Sequence, residues 1–567
     1  MKAENINIIS DYNVDNLVAL FNNDHNLPAC HAKSTPYGQV QQSLISNSEE
    51  IWSEETSATI IWTSLETVSP SFKLLTMNSS TSLDEIENDL KEYCDLIIGS
   101  SKKTKNIFIP FWINVFSHRG VGPYDFIPGK GISGTILYAN NFIRNYLKDF
   151  KNIFFFNTES WISAGRYDHK SEKLWYMSKT LYSKETYQAA ISNFKSTIRS
   201  LKGEVRKLLV LDLDNTLWGG IVGDDGYKNL NIGGHNPIGE AFADFQRSIL
   251  ALKNKGILLA ICSKNDEKIA LHALENNNEM ILKINDFSSW QINWDDKAKN
   301  MQKITEDLNL GLQSAVFLDD SPFERGIVRE MLPEVFVPEM PQNPYDYRKF
   351  LSQLDCFDVA DISDEDRARS ENYKLEKERK KINHESDSFE TWINKLELKV
   401  NVENLNENNI KRATQLLNKT NQMNLRTRRL SENELISWDS KKTNQFWCFN
   451  VSDRFGEYGL TGLFGATIEG DSASVTDFVL SCRVMGRGVE NAMLGFIFQQ
   501  IKRDFPEVTS IVFIHKETEK NQPIFEYLLN SALTNQSDSI STFIWNFDKN
   551  FITLPSIQVS YANELSV

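Results

Sequence analysis

Cysteine is scarce in this sequence, and no two cysteines are spaced as a metal-binding or redox pair would be. The chain of 567 residues contains six cysteines, and none belongs to a CxxC motif. Neither a zinc site nor a disulfide framework is therefore indicated. Because scattered cysteines are typical of proteins from a reducing compartment, we expect the protein to be cytoplasmic.

Long apolar runs are also missing. The most apolar stretch, "IFIPFWINVF" at 107–116, is too short to cross a bilayer as a helix. The N-terminal "MKAENINIIS" lacks the apolar core of a signal peptide. We therefore expect no membrane insertion and interpret the stretch at 107–116 as a buried strand.

Basic residues are outnumbered and form no long run. Lys and Arg total 61 against 76 Asp and Glu, which gives a formal net charge of -15. This balance argues against nucleic acid as a partner. With 41% hydrophobic and 24% charged residues, the composition is that of a folded protein. The chain is too long for a single core, so we expect three or four domains.

The apolar runs predict a multidomain α/β protein. Residues 1–185 alternate short apolar runs with helix-like segments, which is typical of a parallel α/β sheet. The predicted strands of this first domain are 6–10, 59–62, 107–113 and 153–156. Residues 186–203 are predicted to form a helix that connects it to the next domain.

A second α/β domain is predicted at 205–350. Its predicted strands are 208–211, 257–263, 280–284 and 315–320. The amphipathic segment before the second strand predicts a helix that stops at Gly256, which would act as a C-cap glycine.

Charge and periodicity change after this domain. Residues 361–386 are highly charged with few apolar positions, so we predict an exposed linker helix there. Between 387 and 567, "LELKVNV", "QFWCFNV" and "SASVTDFVL" contain apolar residues with a period of two, which predicts half-buried antiparallel strands. With a helix predicted at about 488–503, this third domain belongs to the α+β class.

The stretch "LLVLDLDNTLWGGIVGDDG" places Asp212 and Asp214 where a predicted buried strand ends. The other polar residues near predicted strand ends are Ser263, Lys264, Lys297, Asp319 and Asp320. In an open parallel sheet, ligands bind at the carboxyl ends of the strands. Carboxylates this close together need a compensating cation, and Mg2+ prefers oxygen ligands. The pattern therefore predicts a magnesium-dependent phosphoryl site.

Each residue type has a role in such a site. Asp212 can act as a nucleophile and form an aspartyl-phosphate. Asp214, two residues further on, can protonate the leaving oxygen and then activate water. Ser263 and Lys297 can hold the phosphoryl oxygens, and the lysine also neutralises charge.

These motifs resemble those of the haloacid dehalogenase (HAD) phosphotransferase superfamily. "DLDNT", Ser263, Lys297 and "DD" at 319–320 match its four motifs in order. The resemblance is closest to the FkbH-like subfamily (subfamily IIIC), whose sequences are similar to "LDLDNTLWGGIVGDDG", "CSKND", "FLDDSPFER" and "TNQMNLRTRRL". It covers about 200–567 and includes the N-terminal extension of the long members of the subfamily. The resemblance implies a nucleophile at Asp212 and an acid/base at Asp214. It also implies that Asp212, the carbonyl of Asp214 and either Asp319 or Asp320 bind Mg2+.

The same resemblance implies a reaction. FkbH-like proteins are similar to enzymes that dephosphorylate 1,3-bisphosphoglycerate and load a glyceryl group onto an acyl carrier protein, for polyketide or surface-polysaccharide biosynthesis. Predicted helices and strands nearly fill the gaps between the motifs, so we expect no large cap domain, and an open site admits a group carried on a protein. The alternatives are a HAD phosphatase that acts on another phosphate ester and a non-catalytic assembly scaffold.

Cys262 directly precedes Ser263 at the same predicted strand end. A thiol near Mg2+ and a lysine can have a lowered pKa and act as a nucleophile in acyl transfer. Because neighbours in a strand face opposite sides, the alternative is that Cys262 points into the core.

The segment "SCRVMGRGVE" in the third domain resembles the pyrophosphate loop of GNAT acetyltransferases. Its matching residues are Arg483, Gly486, Arg487 and Gly488. Amides at a helix N-terminus suit a phosphate, and glycine lets the backbone approach it closely. Such a loop would bind the phosphopantetheine arm of coenzyme A or of a carrier protein, and the alternative is a glycine turn without a ligand.

The arginines of "NLRTRRL" lie close together in an acidic protein. Arg426, Arg428 and Arg429 could form a docking patch for an acidic carrier protein, and the alternative is a solvated surface cluster.

The first domain resembles SGNH-hydrolase or flavodoxin-like layers. Ser10 follows its first predicted strand, and Asp168 and His169 come late in the domain. A serine hydrolase needs such residues in concert, but Ser10 is followed by Asp11 where a glycine is usual. We therefore favour a structural or interaction role, with Ser10 as an ordinary helix N-cap.

Overall fold

The structure is a computed structural model that describes residues 3–48, 51–52, 55–114, 120–164, 172–359, 388–535, 541–548, 551 and 556–561. The predicted linker helix at 361–386, together with Asp168 and His169, lies outside these residues. The chain divides into two compact units, Met1–Val205 with Leu354–Asp361 and Arg206–Gln353 with Ile362–Val567. Within the described ranges, no helix is both long enough and apolar enough to cross a bilayer.

The N-terminal unit is built on a five-stranded parallel sheet of order β2-β1-β3-β4-β5. Its strands are β1 (Glu4–Ser10), β2 (Cys30–Ser34), β3 (Thr56–Trp62), β4 (Ile107–Pro110) and β5 (Ile153–Phe156). The four strands predicted from the sequence are confirmed. The edge strand β2 was not predicted because its polar sequence "CHAKS" buries only Ala32 fully.

Helices pack against this sheet so that both of its faces are buried. They are α1 (Asp15–Asn23), α2 (Val40–Ile45), α3 (Leu65–Val68), α4 (Pro70–Thr76), α5 (Leu83–Ser101), α6 (Ile132–Tyr146), α7 (Thr158–Ala164), α8 (Glu172–Ser178) and α9 (Lys184–Leu201). Adjacent residues of β3 belong to different cores: Ile60 to one and Ile61 to the other. Burial on both faces is characteristic of parallel sheets.

Helix α9 belongs to the core of the N-terminal unit. Its apolar face buries Tyr187 and Phe194, and the Phe194 ring stacks on Phe108 of β4 with centroids 5.8 Å apart. The prediction of a connecting helix at 186–203 is therefore wrong in its role, because the helix packs on the sheet of its own unit.

Ser10 also differs from its prediction. Helix α1 begins only at Asp15, after Val14, so Ser10 does not cap it. Its hydroxyl accepts a hydrogen bond from the amide of Tyr12 at 3.3 Å and thereby shapes the turn after β1.

The second unit begins with a four-stranded parallel sheet of order β8-β7-β6-β9. Its strands are β6 (Leu208–Leu211), β7 (Leu258–Ser263), β8 (Ser289–Ile292) and β9 (Ala315–Leu318). The strand predicted at 280–284 is wrong, and the edge strand β8 takes its place. The amides of Ile281 and Leu282 instead donate to Oε1 of Gln246, which satisfies this apolar segment without a sheet partner.

The helices around this sheet leave no separate domain between its strands. They are α10 (Val222–Asp225), α11 (Pro237–Asn254), α12 (Glu267–Asn276), α13 (Lys297–Asp307), α14 (Pro322–Met331) and α15 (Tyr347–Ser352). Asn236 caps α11, and Gly256, at φ +98°, follows its C-terminus as predicted. In the fully described range 172–359, α10 and α11 connect β6 to β7, and α12 connects β7 to β8.

The C-terminal part contains an eight-stranded mixed sheet of order β15-β16-β14-β13-β12-β11-β10-β17. Its strands are β10 (Lys399–Asn404), β11 (Asn444–Asp453), β12 (Gly456–Glu469), β13 (Ser472–Leu480), β14 (Ser510–Ile514), β15 (Thr534–Asn535), β16 (Thr542–Asn546) and β17 (Gln558–Tyr561). Its helices are α16 (Phe389–Leu396), α17 (Ile410–Lys419), α18 (Glu432–Asp439), α19 (Val489–Asp504) and α20 (Gln522–Leu529). The predicted α+β class and the three predicted strands are confirmed.

Candidate active site

Polar residues lie at the carboxyl end of the β8-β7-β6-β9 sheet. Asp212 directly follows β6, and Asp319 directly follows β9, its neighbour in the sheet. Ser263 is the last residue of β7 and is 2% exposed. Lys297 is the first residue of α13, which follows β8. The structure thus brings to one edge the residues that the motifs place at separate strand ends.

Lys297 is buried between two of these carboxylates. Its Nζ donates to Oδ1 of Asp212 at 2.9 Å and to Oδ2 of Asp319 at 2.5 Å. Burial by itself lowers the pKa of Lys297, but Asp212 and Asp319 raise it above its ordinary value. The lysine therefore remains charged, as a buried cation can when carboxylates pair with it.

Three carboxylates form a cluster beside this lysine. Asp212, Asp319 and Asp320 each offer an oxygen, and these oxygens all lie within 4.8 Å of one another. Asp319 is fixed because its Oδ1 accepts from the amide of Ser321 at 2.9 Å, and Asp320 because its amide donates to the Thr216 hydroxyl at 3.1 Å. The atoms that could bind a metal are all carboxylate oxygens, which Mg2+ prefers, so these residues fit a hard divalent cation.

The electrostatics of the cluster also fit a cation. Burial, and then the charge of Asp212, raise the pKa of Asp319 to about 6 although Lys297 opposes the shift. The same two causes raise the pKa of Asp320. One lysine thus compensates three carboxylates only in part, and a bound divalent cation would remove the remaining repulsion.

Arg325 fixes the chain that carries Asp319 and Asp320. Its Nη1 donates to the carbonyl oxygens of both residues, at 2.7 and 2.8 Å, and its Nη2 donates to Oε2 of Glu339 at 2.9 Å. Arg325 is 4% exposed. Its role was not predicted from the sequence, although "FLDDSPFER" places it shortly after the aspartates.

The Asp214 carboxylate is held by a separate set of hydrogen bonds. Its Oδ1 accepts from Nε1 of Trp218 at 2.9 Å and from the amide of Val222 at 3.0 Å, and its Oδ2 accepts from Nδ2 of Asn265 at 2.7 Å. Its carboxylate is therefore not one of the three clustered ones. Burial raises the pKa of Asp214, which favours a carboxyl group that can donate a proton. Asn265, within "CSKND", is a site residue that the sequence analysis missed.

Cys262 lies in the core, against the prediction of a catalytic thiol. The residue is fully buried, and its Sγ contacts the carbonyl of Lys297 at 3.6 Å. Burial raises the pKa of its thiol, whereas a nucleophilic thiolate needs a lowered one. The side chain belongs to the apolar cluster between the sheet and α13, so its structural interpretation is the better one.

The predicted phosphate loop lies ahead of α19 in the C-terminal part. Gly486 and Gly488 both adopt positive φ, +74° and +80°, which glycine permits. The Arg487 side chain points to Tyr458, whose hydroxyl it hydrogen-bonds, and is 5% exposed. The side chain of Arg483 contacts Ser481 through Nε at 3.2 Å.

The predicted docking arginines bind internal partners. Nε of Arg428 donates to Oδ1 of the buried Asp477 at 2.9 Å, and Nη1 of Arg429 donates to the carbonyl of Leu417 at 2.8 Å. Arg426 donates to the carbonyl of Ile514 at 3.3 Å. These contacts account for the positions of the three arginines, and a docking patch for an acidic carrier stays a prediction.

Comparison with known proteins shows what the chain is similar to. No protein-family model matches the chain, and no curated protein matches it either. The chain is similar to the crystal structure of the N-terminal part of BF1531 from Bacteroides fragilis, which contains a phosphatase domain complexed with Mg. Identity is 30% and the TM-score is 0.57, over 64% of this chain and 95% of that one. The ribosomal-protein-S18-alanine N-acetyltransferase from Escherichia coli matches 26% of this chain, over 90% of its own length, with 9% identity and a TM-score of 0.19.

Proposed function

The chain belongs to the same family as the phosphatase-containing N-terminal part of BF1531, and on this premise we propose that it is a Mg2+-dependent, HAD-type phosphoryl-transfer enzyme. The observation that carries the proposal is the buried Lys297, which bridges Asp212 and Asp319 beside a third carboxylate, Asp320. Mg2+ held by Asp212, Asp319 and Asp320 would neutralise charge on the phosphoryl group. A scaffold without catalysis would not need this costly cluster at a strand end.

The chain's own residues account for both steps of phosphate-ester hydrolysis. A carboxylate oxygen of Asp212 attacks phosphorus and forms an aspartyl-phosphate, while Asp214 gives its proton to the leaving oxygen. Asp214 then takes a proton from water, which attacks the aspartyl-phosphate and releases phosphate. Lys297 and Ser263 hold the phosphoryl oxygens, and Trp218 and Asn265 fix the orientation of Asp214.

The substrate we propose is 1,3-bisphosphoglycerate, with the phosphopantetheine thiol of an acyl carrier protein as the acceptor of the glyceryl group. The Asp212 site would hydrolyse the phosphate ester at C3, and the carrier thiolate would attack the C1 carbonyl, so that the thioester forms as the C1 phosphate leaves. The support is the resemblance to FkbH-like proteins and the absence of an inserted cap domain in residues 172–359. Two large aromatic side chains near the strand ends, Trp294 after β8 and Phe323 at the start of α14, are 75% and 71% exposed. Exposed aromatics beside an open site suit a protein-borne acceptor.

The direct test is intact-mass spectrometry of a holo acyl carrier protein incubated with the full chain, Mg2+ and 1,3-bisphosphoglycerate, with phosphate release measured in parallel. We expect a glyceryl adduct on the phosphopantetheine arm together with phosphate. Phosphate release with an unmodified carrier would contradict carrier loading and favour simple hydrolysis. No phosphate release from this or any other phosphate ester would overturn the proposed reaction.

Replacement of Asn265 tests the assignment of Asp214 as the general acid. Asn265→Ala removes the amide that fixes Oδ2 of Asp214, so we expect kcat to fall about 10- to 100-fold for an alkyl phosphate. The fall should be smaller for p-nitrophenyl phosphate, whose leaving oxygen needs no proton. Equal losses for both esters in steady-state assays would contradict a positioning role toward Asp214.

Replacement of Trp294 tests the acceptor surface. We expect Trp294→Ala to reduce carrier loading about 10-fold, because an exposed aromatic at an interface often contributes strongly to binding. Release of phosphate from p-nitrophenyl phosphate should be unchanged. Met331→Ala is the matched control, since Met331 is 54% exposed but lies at the opposite end of α14 from the strand ends. Equal loading by wild type and Trp294→Ala would count against this surface.

A further inference from the structure

The predicted phosphate loop of the C-terminal part contains an acidic residue that the motif does not account for. Glu490 stands two residues after Gly488, in the first turn of α19, and is 5% exposed. Its Oε1 accepts a hydrogen bond from the amide of Gly486 at 2.6 Å. A loop amide that a phosphate would need is therefore already bound by a carboxylate of the same chain.

Several backbone amides surround the Glu490 carboxylate and stabilise its charge. Burial raises the pKa of Glu490, but the amides of Gly486, Glu490 and Gly488 all oppose the shift by stabilising the ionised form. A helix N-terminus with glycines ahead of it attracts an anion. Here the anion is the side chain of Glu490.

Arg487 does not face this loop as a phosphate ligand. Its guanidinium hydrogen-bonds the Tyr458 hydroxyl and lies over the Tyr458 ring, 5.3 Å from the centroid. The Tyr458 hydroxyl in turn donates to Oδ2 of Asp453 at 2.7 Å. This chain of contacts fixes the arginine on the β11–β12 hairpin.

The edge of β13 is covered by another segment of the chain. This strand pairs with β14 only over Ser472–Val475. Beyond that point Met423–Leu425, from the motif "TNQMNLRTRRL", takes the place of β14. The amide of Leu425 donates to the carbonyl of Phe478 at 3.1 Å, and the amide of Leu480 donates to the carbonyl of Met423 at 2.9 Å.

The other side of this segment is also bound. The amide of Lys516, just after β14, donates to the carbonyl of Leu425 at 3.0 Å, and Nδ2 of Asn521 donates to the carbonyl of Asn424 at 3.1 Å. Met423, Asn424 and Leu425 are at most 2% exposed. The segment therefore fills the gap where β13 and β14 diverge, and leaves no free strand edge there for an extended, amide-containing ligand to pair with.

We propose that the predicted phosphate loop is closed to coenzyme A and to a phosphopantetheine arm, because Glu490 takes the place of a phosphate and Met423–Leu425 leaves the end of β13 no free edge for an extended, amide-containing ligand. The proposal corrects the prediction of a cofactor site at Arg483, Gly486, Arg487 and Gly488. It also deepens the proposed function and rests on it, because a carrier arm would then reach the Asp212 site without being held at this loop.

Hydrogen exchange read by mass spectrometry tests this closure locally. The full chain with Asp212→Asn, which keeps the phosphoryl site from consuming the ligand, is compared with and without millimolar coenzyme A. We expect no change in the peptides that cover 482–494 and 421–428. Slower exchange in either peptide on addition of coenzyme A would overturn the proposal.

Variants of Glu490 test whether its carboxylate holds the loop amides. Glu490→Ala should speed exchange of the Gly486 and Gly488 amides at least about 10-fold, because their acceptor is gone. Glu490→Gln, which keeps an acceptor oxygen, should give a smaller change, and the exposed Glu519→Ala should give none. Unchanged exchange at Gly486 in both Glu490 variants would show that the carboxylate does not hold the loop. Because these readouts lie in the C-terminal domain, failure of phosphoryl transfer at Asp212 would leave them unaffected.

Discussion

Asp212→Asn is expected to lower kcat for phosphate release at least about 10^4-fold, because an amide cannot attack phosphorus as the carboxylate does. Asn has the same shape and its Oδ1 can still accept from Lys297, so the fold should be retained. The measurement is steady-state phosphate release with Mg2+ from p-nitrophenyl phosphate and from 1,3-bisphosphoglycerate.

Acid-quenched samples from the same assay report the intermediate. In the wild type we expect a fraction of the peptide that contains Asp212 to carry a phosphoryl group, and in Asp212→Asn none. Asp244→Asn, on α11, is the matched control, since Asp244 pairs at the surface with Arg247 and Arg348. More than a tenth of wild-type activity in Asp212→Asn would contradict the aspartyl-phosphate mechanism.

Lys297→Met is expected to have the largest effect on stability. The change leaves the buried Asp212 and Asp319 without their cation, and breaking a buried pair in this way costs about 3–5 kcal/mol. For a domain of this size the midpoint of thermal unfolding should fall by about 10 °C in EDTA at pH 8. Phosphate release should fall about 10^2- to 10^3-fold, because the lysine no longer stabilises the phosphoryl oxygens.

The sign of the pH dependence follows from Asp319. Its pKa in the folded protein is raised to about 6, so the charged cluster is destabilising above that pH and is relieved by protonation as the pH falls. The loss of thermal stability caused by Lys297→Met in EDTA should therefore be smaller at pH 5 than at pH 8. Lys303 on the same helix is half exposed and lies 3.4 Å from Asp295. Lys303→Met should therefore change the unfolding midpoint at neither pH. A deficit that grows toward pH 5 would contradict this account of the cluster.

Two strand ends of the central sheet could be predicted because Asp212 and Asp319 each follow a fully buried apolar run. All residues of β6 and β9 are inaccessible to solvent, and parallel strands bring their carboxyl ends to one edge. Asp212 and Asp319 could therefore be grouped from burial and spacing, whereas Lys297, which follows the half-buried β8, was grouped with them by the order of the motifs. Their mutual hydrogen bonds could not, because rotamers depend on packing across the sheet.

Arg325 and Asn265 were missed for a related reason. Each acts through hydrogen bonds to a segment that is distant in the sequence or to backbone carbonyls, and a residue pattern does not encode either. β8 was misplaced because Gln246 satisfies the backbone of 281–282, so an apolar segment stayed outside the sheet. A side chain that replaces a strand partner leaves no periodic signal.

The C-terminal loop shows a different limit. The glycine positions match a phosphate-binding motif, yet Glu490 lies within the same ten residues and occupies an amide of the loop. An acid in the first helical turn is a visible signal, since its side chain can fold back onto the preceding amides. A motif therefore has to be tested against the charges next to it before a ligand is assigned.

The central claim is that the carboxylate cluster holds a divalent cation, and calorimetric titration of the metal-free full chain with Mg2+ tests it most directly. We expect one binding event per chain in the wild type and its loss in Asp319→Asn, with Asp244→Asn unchanged. Binding should weaken as the pH falls below about 6, because protons then compete for Asp319. No Mg2+ binding in the wild type, or binding that Asp319→Asn leaves intact, would contradict the account.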